Sequence, residues 1–234
     1  MNTYHHKSGK AAVGPIIGIV VALALIISAS VIQSSSAPVG AIDVDVPEIT
    51  SADHVRGNPE APVKVIEYSD LECPYCKNFH ETMLRVFTEY GPEGKIQWVY
   101  RHFPLTQLHK QARGEAIATE CAAKATSPEN SNLVFWTMVD NIFMTTKAND
   151  GLDLSTLPAL AEQAGANRAE FIKCYNAAET AAKVDADAAG GAAAGAEGTP
   201  YTLVISPKGN VFSINGAYPY EEVKATIEKA LADK

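Results

Sequence analysis

The chain has 234 residues, 47% of them hydrophobic, and 19 Lys and Arg against 27 Asp and Glu give it a formal charge of −8. That length suits one globular domain with an appendage. The acidic balance and the lack of a basic stripe argue against a nucleic-acid partner and against retention at anionic lipid surfaces.

In chain order, the first expected element is an anchor. Residues Ala11–Ile32 read AAVGPIIGIVVALALIISASVI without a charge, about the ~20 residues a helix needs to cross the hydrocarbon layer. Lys7 and Lys10 precede this run and acidic residues follow it. Residues 1–10 are therefore expected as a cytoplasmic tail, 11–32 as a transmembrane signal anchor, and the rest as exported. The alternative is a cleaved signal peptide, whose apolar region is normally ~7–15 residues with a small-x-small cleavage site. The sites around Ser28–Ser30 and Ser36–Ala37 are poor, and either reading exports the domain. No cysteine follows the apolar block, which excludes lipoprotein-type lipid attachment. Residues 33–59, with Ser, Pro and Asp and little hydrophobic periodicity, are expected as an extracytoplasmic linker to a folded domain over 60–234.

Within that domain, VKVIEY at Val63–Tyr68 is a β-branched and aromatic run bounded by Pro62 and Ser69, hence a strand. Cys73 to about Tyr90 has helical spacing, with Phe79, Met83, Val86 and Phe87 facing a core and a Gly91-Pro92 stop. IQWVY at Ile96–Tyr100 is a second strand, and the resulting β–α–β unit favours a parallel, buried pairing. An Ala-rich helical stretch follows over about 106–196. Its pieces are expected at Thr106–Ala125, Asn132–Thr145, Leu154–Ala164, Arg168–Asn176 and Ala177–Ala196, the last ending weakly in Ala and Gly. Tyr201–Ser206 and Val211–Ile214 flank Pro207-Lys208-Gly209-Asn210 as a hairpin, and Tyr220–Leu231 closes the chain as a helix.

The chemistry lies in Cys73-Pro74-Tyr75-Cys76. Dithiol exchange needs one accessible thiolate and a second thiol to resolve the mixed disulfide. Opening a helix directly after a strand, the pair is a strong redox signal. It places Cys73 where free N–H groups and the macrodipole favour a negative sulfur, and Pro74 suits the first turn. Cys73 is thus expected as nucleophile and Cys76 as resolving thiol. The bland alternative, half of a zinc site, lacks a second closely spaced pair, so no metal is expected. Cys121 and Cys174 stand alone in two helices. In an oxidising compartment they are expected as a structural disulfide, the alternative being two separate buried thiols. His102 and His109 read as structural or rim residues, and Trp98 and Trp136 as core.

The stretch APVKVIEYSDLECPYCKNFH resembles the active-site segment of DsbA-like proteins, the thioredoxin-fold thiol oxidoreductases of bacterial envelopes. RHFPLTQLHKQA at Arg101–Ala112 and Gly198-Thr199-Pro200 before a strand extend the likeness, which covers about Ala61 to the C-terminus. The resemblance implies an α/β thioredoxin-like fold with a helical insertion, here preceded by the N-terminal transmembrane helix. It also implies a cis Thr199–Pro200 bond facing the cysteines, leaving the Thr199 backbone free to pair with a substrate strand. Glu67 matches the family's buried acid, implied to accept the proton of Cys76; the alternative is an edge-strand glutamate in water. Tyr75 is a departure, because the family's strong oxidants carry histidine there. With Pro74, Tyr75 offers a substrate-facing surface but no cation.

The resemblance implies a membrane-anchored protein-disulfide oxidoreductase of the bacterial periplasm or outer cell face. It would be a dithiol oxidase acting on exported protein thiols, with no cofactor beyond its own disulfide. Its reoxidant would be a membrane enzyme of the DsbB or vitamin K epoxide reductase-like type. A monomer is expected, since no dimerisation segment stands out. Reductase or isomerase activity is the same chemistry run the other way. A copper-handling thioredoxin-like module and a holdase chaperone are the rivals of different class; no Met or His lies inside the motif to favour copper.

Overall fold

Val63–Ser69 (β2) buries every residue except Lys64, so it needs cover on both faces and partners on both edges. It obtains them as the middle strand of a five-stranded sheet of order β1-β3-β2-β4-β5. Ile96–His102 (β3) pairs with it in parallel, and Tyr201–Ile205 (β4) pairs antiparallel on the other side. Val211–Asn215 (β5) and His54–Gly57 (β1) are the antiparallel edges. This computed structural model describes residues 1, 3 and 40–234, and the fold lies in the unit Pro38–Lys234. The expected tail and anchor fall outside the described residues, except for Met1 and Thr3. Among the described residues no helix is long and apolar enough to cross a membrane.

The helix Pro74–Tyr90 (α1) starts at an extended Cys73 and buries Cys76, Phe79, His80, Met83, Val86 and Tyr90 on one stripe. The insertion between β3 and β4 consists of Ala112–Lys124 (α2), Pro128–Thr145 (α3), Leu157–Ala164 (α4), Arg168–Asn176 (α5) and Ala181–Ala193 (α6). Tyr220–Ala232 (α7) follows β5. One core joins α1, the insertion, α7 and one face of the sheet. A second, smaller core on Ile66, Tyr68, Val99, Leu203 and Val211 includes the end of α6.

Four boundaries differ from expectation, the simplest being helix α6, which spans Ala181–Ala193 rather than Ala177–Ala196, with Ala178 at a positive φ of 48° just before it. The stretch read as a linker over 33–59 contains β1. Its residues Ile42, Val44, Val46 and Ile49 also pack against the second core, and Ile42 bridges to Val211. Arg101 fastens it further, bonding Asp53, the Pro47 and Glu48 carbonyls and the Tyr68 hydroxyl. The period-two alternation of Ile42, Val44 and Val46 with Asp43 and Asp45 was the overlooked signal. Helix α2 begins at Ala112 rather than Thr106, because residues 104–111 form a loop bound to Asp70. Helix α3 begins at Pro128 rather than Asn132: a proline at the first helical position gives up no hydrogen bond.

The Ala/Gly stretch also has a packing reason. A Cβ on Gly191 would lie 2.7 Å from the Phe103 ring and 2.8 Å from the Tyr68 ring, so only glycine lets α6 approach the sheet this closely.

Candidate active site

The loop from β2 to α1 carries Cys73 and Cys76 at the carboxyl end of the central strand. Cys73 is the N-cap of α1 with Pro74 next, and Asp70 shapes the turn by accepting the Cys73 N–H at 3.1 Å. The two cysteines are unbonded and buried, whereas Tyr75 between them is 65% exposed.

Thr199 and Pro200 come from the far end of the chain, and the bond between them is cis. The Thr199 carbonyl lies 3.6 Å from Cys73 Sγ, able to accept from the thiol. The Thr199 hydroxyl is placed to donate to an ionised sulfur, Cys73 or Cys76.

The two sulfurs are electrostatically unlike. A hydrogen bond from Cys76, with help from Thr199 and the N–H groups of Cys76 and Tyr75, outweighs burial and brings Cys73 from 9.0 down to about 6. Burial pushes Cys76 the other way, well above 9.0, and the neighbouring Cys73 adds to the shift. At neutral pH the pair therefore holds one thiolate, on Cys73. The Asp70 N–H approaches Cys76 Sγ at 3.5 Å.

In the strand that leads to the pair, Glu67 is fully buried in the middle of the sheet rather than at a wet edge. Burial drives its carboxyl up to about 7, restrained by hydrogen bonds from Ser69 and Trp98. The Trp98 indole donates to Glu67 Oε2 at 3.0 Å. Trp98 and Trp136 are in the core as expected, but Trp98 is also a partner of the buried acid. Tyr100 sits opposite Glu67 in the register, its buried phenol close enough to feel the charges of both Glu67 and Cys76.

One group at the site, Asp70, lay outside the sequence reading, and His109, read there as a structural or rim residue, is its partner. The buried Asp70 carboxylate accepts from the N–H groups of Glu72 and Leu105, and from His109 Nδ1 at 2.9 Å. His109 thus sits at the active-site loop. His102, by contrast, is structural, bonded to Thr119 and Glu120 within the core. Cys121 on α2 and Cys174 on α5 are joined by a disulfide, with Cα atoms 5.7 Å apart.

Comparison with known proteins places this geometry. A family model described as Thioredoxin matches residues 50–229. Among solved structures, BdbD from Bacillus subtilis superposes with a TM-score of 0.67 at 24% identity, over 81% of this chain and 98% of that one. DsbA2 of Pseudomonas aeruginosa gives 0.63 at 24%, over 80% and 98%. Alpha-DsbA1 of Wolbachia pipientis gives 0.65 at 22%, over 80% and 94%. At these identities the likeness is one of fold. A curated relative, the Na(+)/H(+) antiporter NhaA 1 of Salinispora arenicola, is 31% identical over 194 residues. Those residues are 82% of this chain but 27% of that protein, so the chain spans about a quarter of its length.

Proposed function

The chain belongs to the family described as Thioredoxin, whose model matches residues 50–229, and from that premise we propose that it is a DsbA-like thiol–disulfide oxidoreductase, a dithiol oxidase working through Cys73 and Cys76. The observation that carries the direction is the depressed Cys73 thiol at about 6 beside a strongly raised Cys76. A sulfur that rests as thiolate stabilises the reduced enzyme and is a good leaving group, both of which favour donating the disulfide.

In the proposed cycle a client thiolate attacks Cys73 Sγ of the oxidised pair. The Cys73–Cys76 bond breaks, a mixed disulfide forms, and the bond's electron pair leaves with Cys76. Because the Cys76 thiolate is unfavourable in its buried setting, it takes a proton, and Glu67, poised near 7, is the group suited to supply it. A second client thiolate then attacks the client sulfur, closing the client disulfide and releasing Cys73 as thiolate. The client loses two electrons and the enzyme pair gains them. Run backwards, the same group accepts the Cys76 proton as that thiol attacks, so one carboxyl serves both directions.

Thr199 is proposed to offer its backbone to an extended client segment beside Cys73, with Pro74 and the exposed Tyr75 as flanking contacts. The Cys121–Cys174 bond fits an oxidising compartment, and with Ala11–Ile32 supports an extracytoplasmic domain on a membrane anchor. Exported protein thiols are the proposed clients, a membrane reoxidase of the DsbB or vitamin K epoxide reductase-like type the proposed electron acceptor. No other cofactor enters the cycle.

The test is oxidation of a reduced two-cysteine peptide by stoichiometric oxidised protein. Rapid loss of peptide thiols, abolished in Cys73→Ala, is expected. Slower oxidation than by oxidised glutathione at equal concentration would count against the proposal.

A further inference from the structure

Tyr75 leaves the motif itself without a cation, yet the fold brings an imidazole to it from the loop between β3 and α2. His109 Nδ1 meets Asp70 Oδ2 at 2.9 Å, and the same oxygen accepts the Leu105 N–H at 2.8 Å. The His109 backbone N–H in turn bonds the Leu105 carbonyl, so the loop that carries the ring is itself turned against Asp70. Asp70 is joined to both cysteines through its backbone: its carbonyl accepts from the Cys73 N–H and its N–H points at Cys76 Sγ. The imidazole is thus tied through Asp70 to the dithiol loop, and Asp70, Cys73 and His109 are all buried.

We propose that His109, held by Asp70, supplies from outside the Cys73-Pro74-Tyr75-Cys76 motif a positive charge that adds to the stabilisation of the Cys73 thiolate by Cys76 and the helix N–H groups. His109 is a positioning residue here: it acts on the sulfur through the field and bonds no reacting atom. The inference deepens the oxidase reading, because whatever favours the thiolate favours the reduced enzyme.

The charges around the ring support this. Asp70, Cys73 and Asp150 all face His109 and raise its affinity for a proton, against the cost of burial. A charge that Cys73 exerts on His109 is returned in kind, so a protonated His109 must favour the Cys73 thiolate. The surroundings make that help necessary. Glu72 and Asp70 are buried beside the motif, and Glu115 is pushed to about 10, first by burial and then by Glu72, so it holds its proton.

Two measurements on the full chain test this. The first is the pH profile of Cys73 alkylation in the reduced protein, read by mass spectrometry in wild type, His109→Gln and His109→Lys. Gln keeps a donor for Asp70 but no charge, and should move the midpoint up by ~0.5 unit or more, about a threefold loss of thiolate at a fixed pH below it. Lys should return the midpoint towards wild type. An unmoved midpoint in Gln, or equal shifts in both variants, overturns the proposal. The second needs no variant at 109: the His109 ring should titrate at lower pH in the oxidised protein, which has no thiolate, than in the reduced one. Equal titration in the two forms overturns it as well. Neither readout depends on turnover, so a protein that fails to oxidise peptides yet shows this linkage would refute the oxidase reading alone.

Discussion

At the residue scale the account rests on the opposed environments of two sulfurs three residues apart, Cys73 and Cys76, at the end of the strand that carries Glu67. Cys73 should be alkylated with a midpoint near pH 6, and Cys76 should stay unreactive until far higher pH. Because the Cys76 hydrogen bond is the largest influence on Cys73, Cys76→Ala should raise the Cys73 midpoint towards 9, measurable by the same alkylation profile. Glu67 allows a prediction of sign. Its folded value of about 7 lies above the ordinary 4.5, so the folded state binds the extra proton and stability falls as pH rises between those values. Above pH 7 the cost is about 3 kcal/mol, from about 1.4 kcal/mol per unit. Glu67→Gln should recover up to that amount at pH 8 and almost none at pH 4 in denaturant titrations, while slowing peptide oxidation. Cys73, Cys76 and Pro200 were legible from strand, helix start and the Gly198-Thr199-Pro200 run. His109 and Asp70 were not, because a loop histidine reads as a rim residue until the fold sets positions 70 and 109 side by side.

At the element scale, the sheet was readable wherever strands are buried on both faces and therefore apolar throughout, as in β2 and β3. β1 was not, since HVRG is short and its neighbours carry acids; its pairing to β3 is a tertiary choice. Helix α6 illustrates the same limit. Its Ala and Gly residues look like a weak helix end, but Gly191 is a contact surface for Tyr68 and Phe103. Gly191→Ala should destabilise by ~1–3 kcal/mol through overpacking, even though alanine gains ~1 kcal/mol in helix propensity. Gly190→Ala, whose Cβ would meet Pro47 at an ordinary 3.4 Å, should be neutral or stabilising. Equal effects at the two positions in chemical denaturation would contradict this packing account. The bond between α2 and α5 belongs to the same scale. Replacing both Cys121 and Cys174 with alanine should cost ~2–4 kcal/mol of stability and leave peptide oxidation unchanged.

At the scale of the whole molecule, thiol ionisation and folding are linked. The Cys73 value is depressed in the folded dithiol, so the stability it contributes is complete above the unfolded value of 9.0 and is lost as pH falls through about 6. At pH 7 it amounts to about 1.4 kcal/mol, equivalent to about 30 mV in a two-electron couple. The disulfide form has no thiolate and lacks this contribution, while Glu67 is common to both. The excess stability of reduced over oxidised protein should therefore grow between pH 6 and 9, as seen by thermal unfolding of each form. The same free energy makes the oxidised protein ready to give up its disulfide. Equilibration of the full chain against glutathione buffers of graded potential measures that tendency directly. The oxidase account predicts a potential for Cys73–Cys76 less negative than about −220 mV, whereas a value near the ~−270 mV of reducing thioredoxins would contradict it.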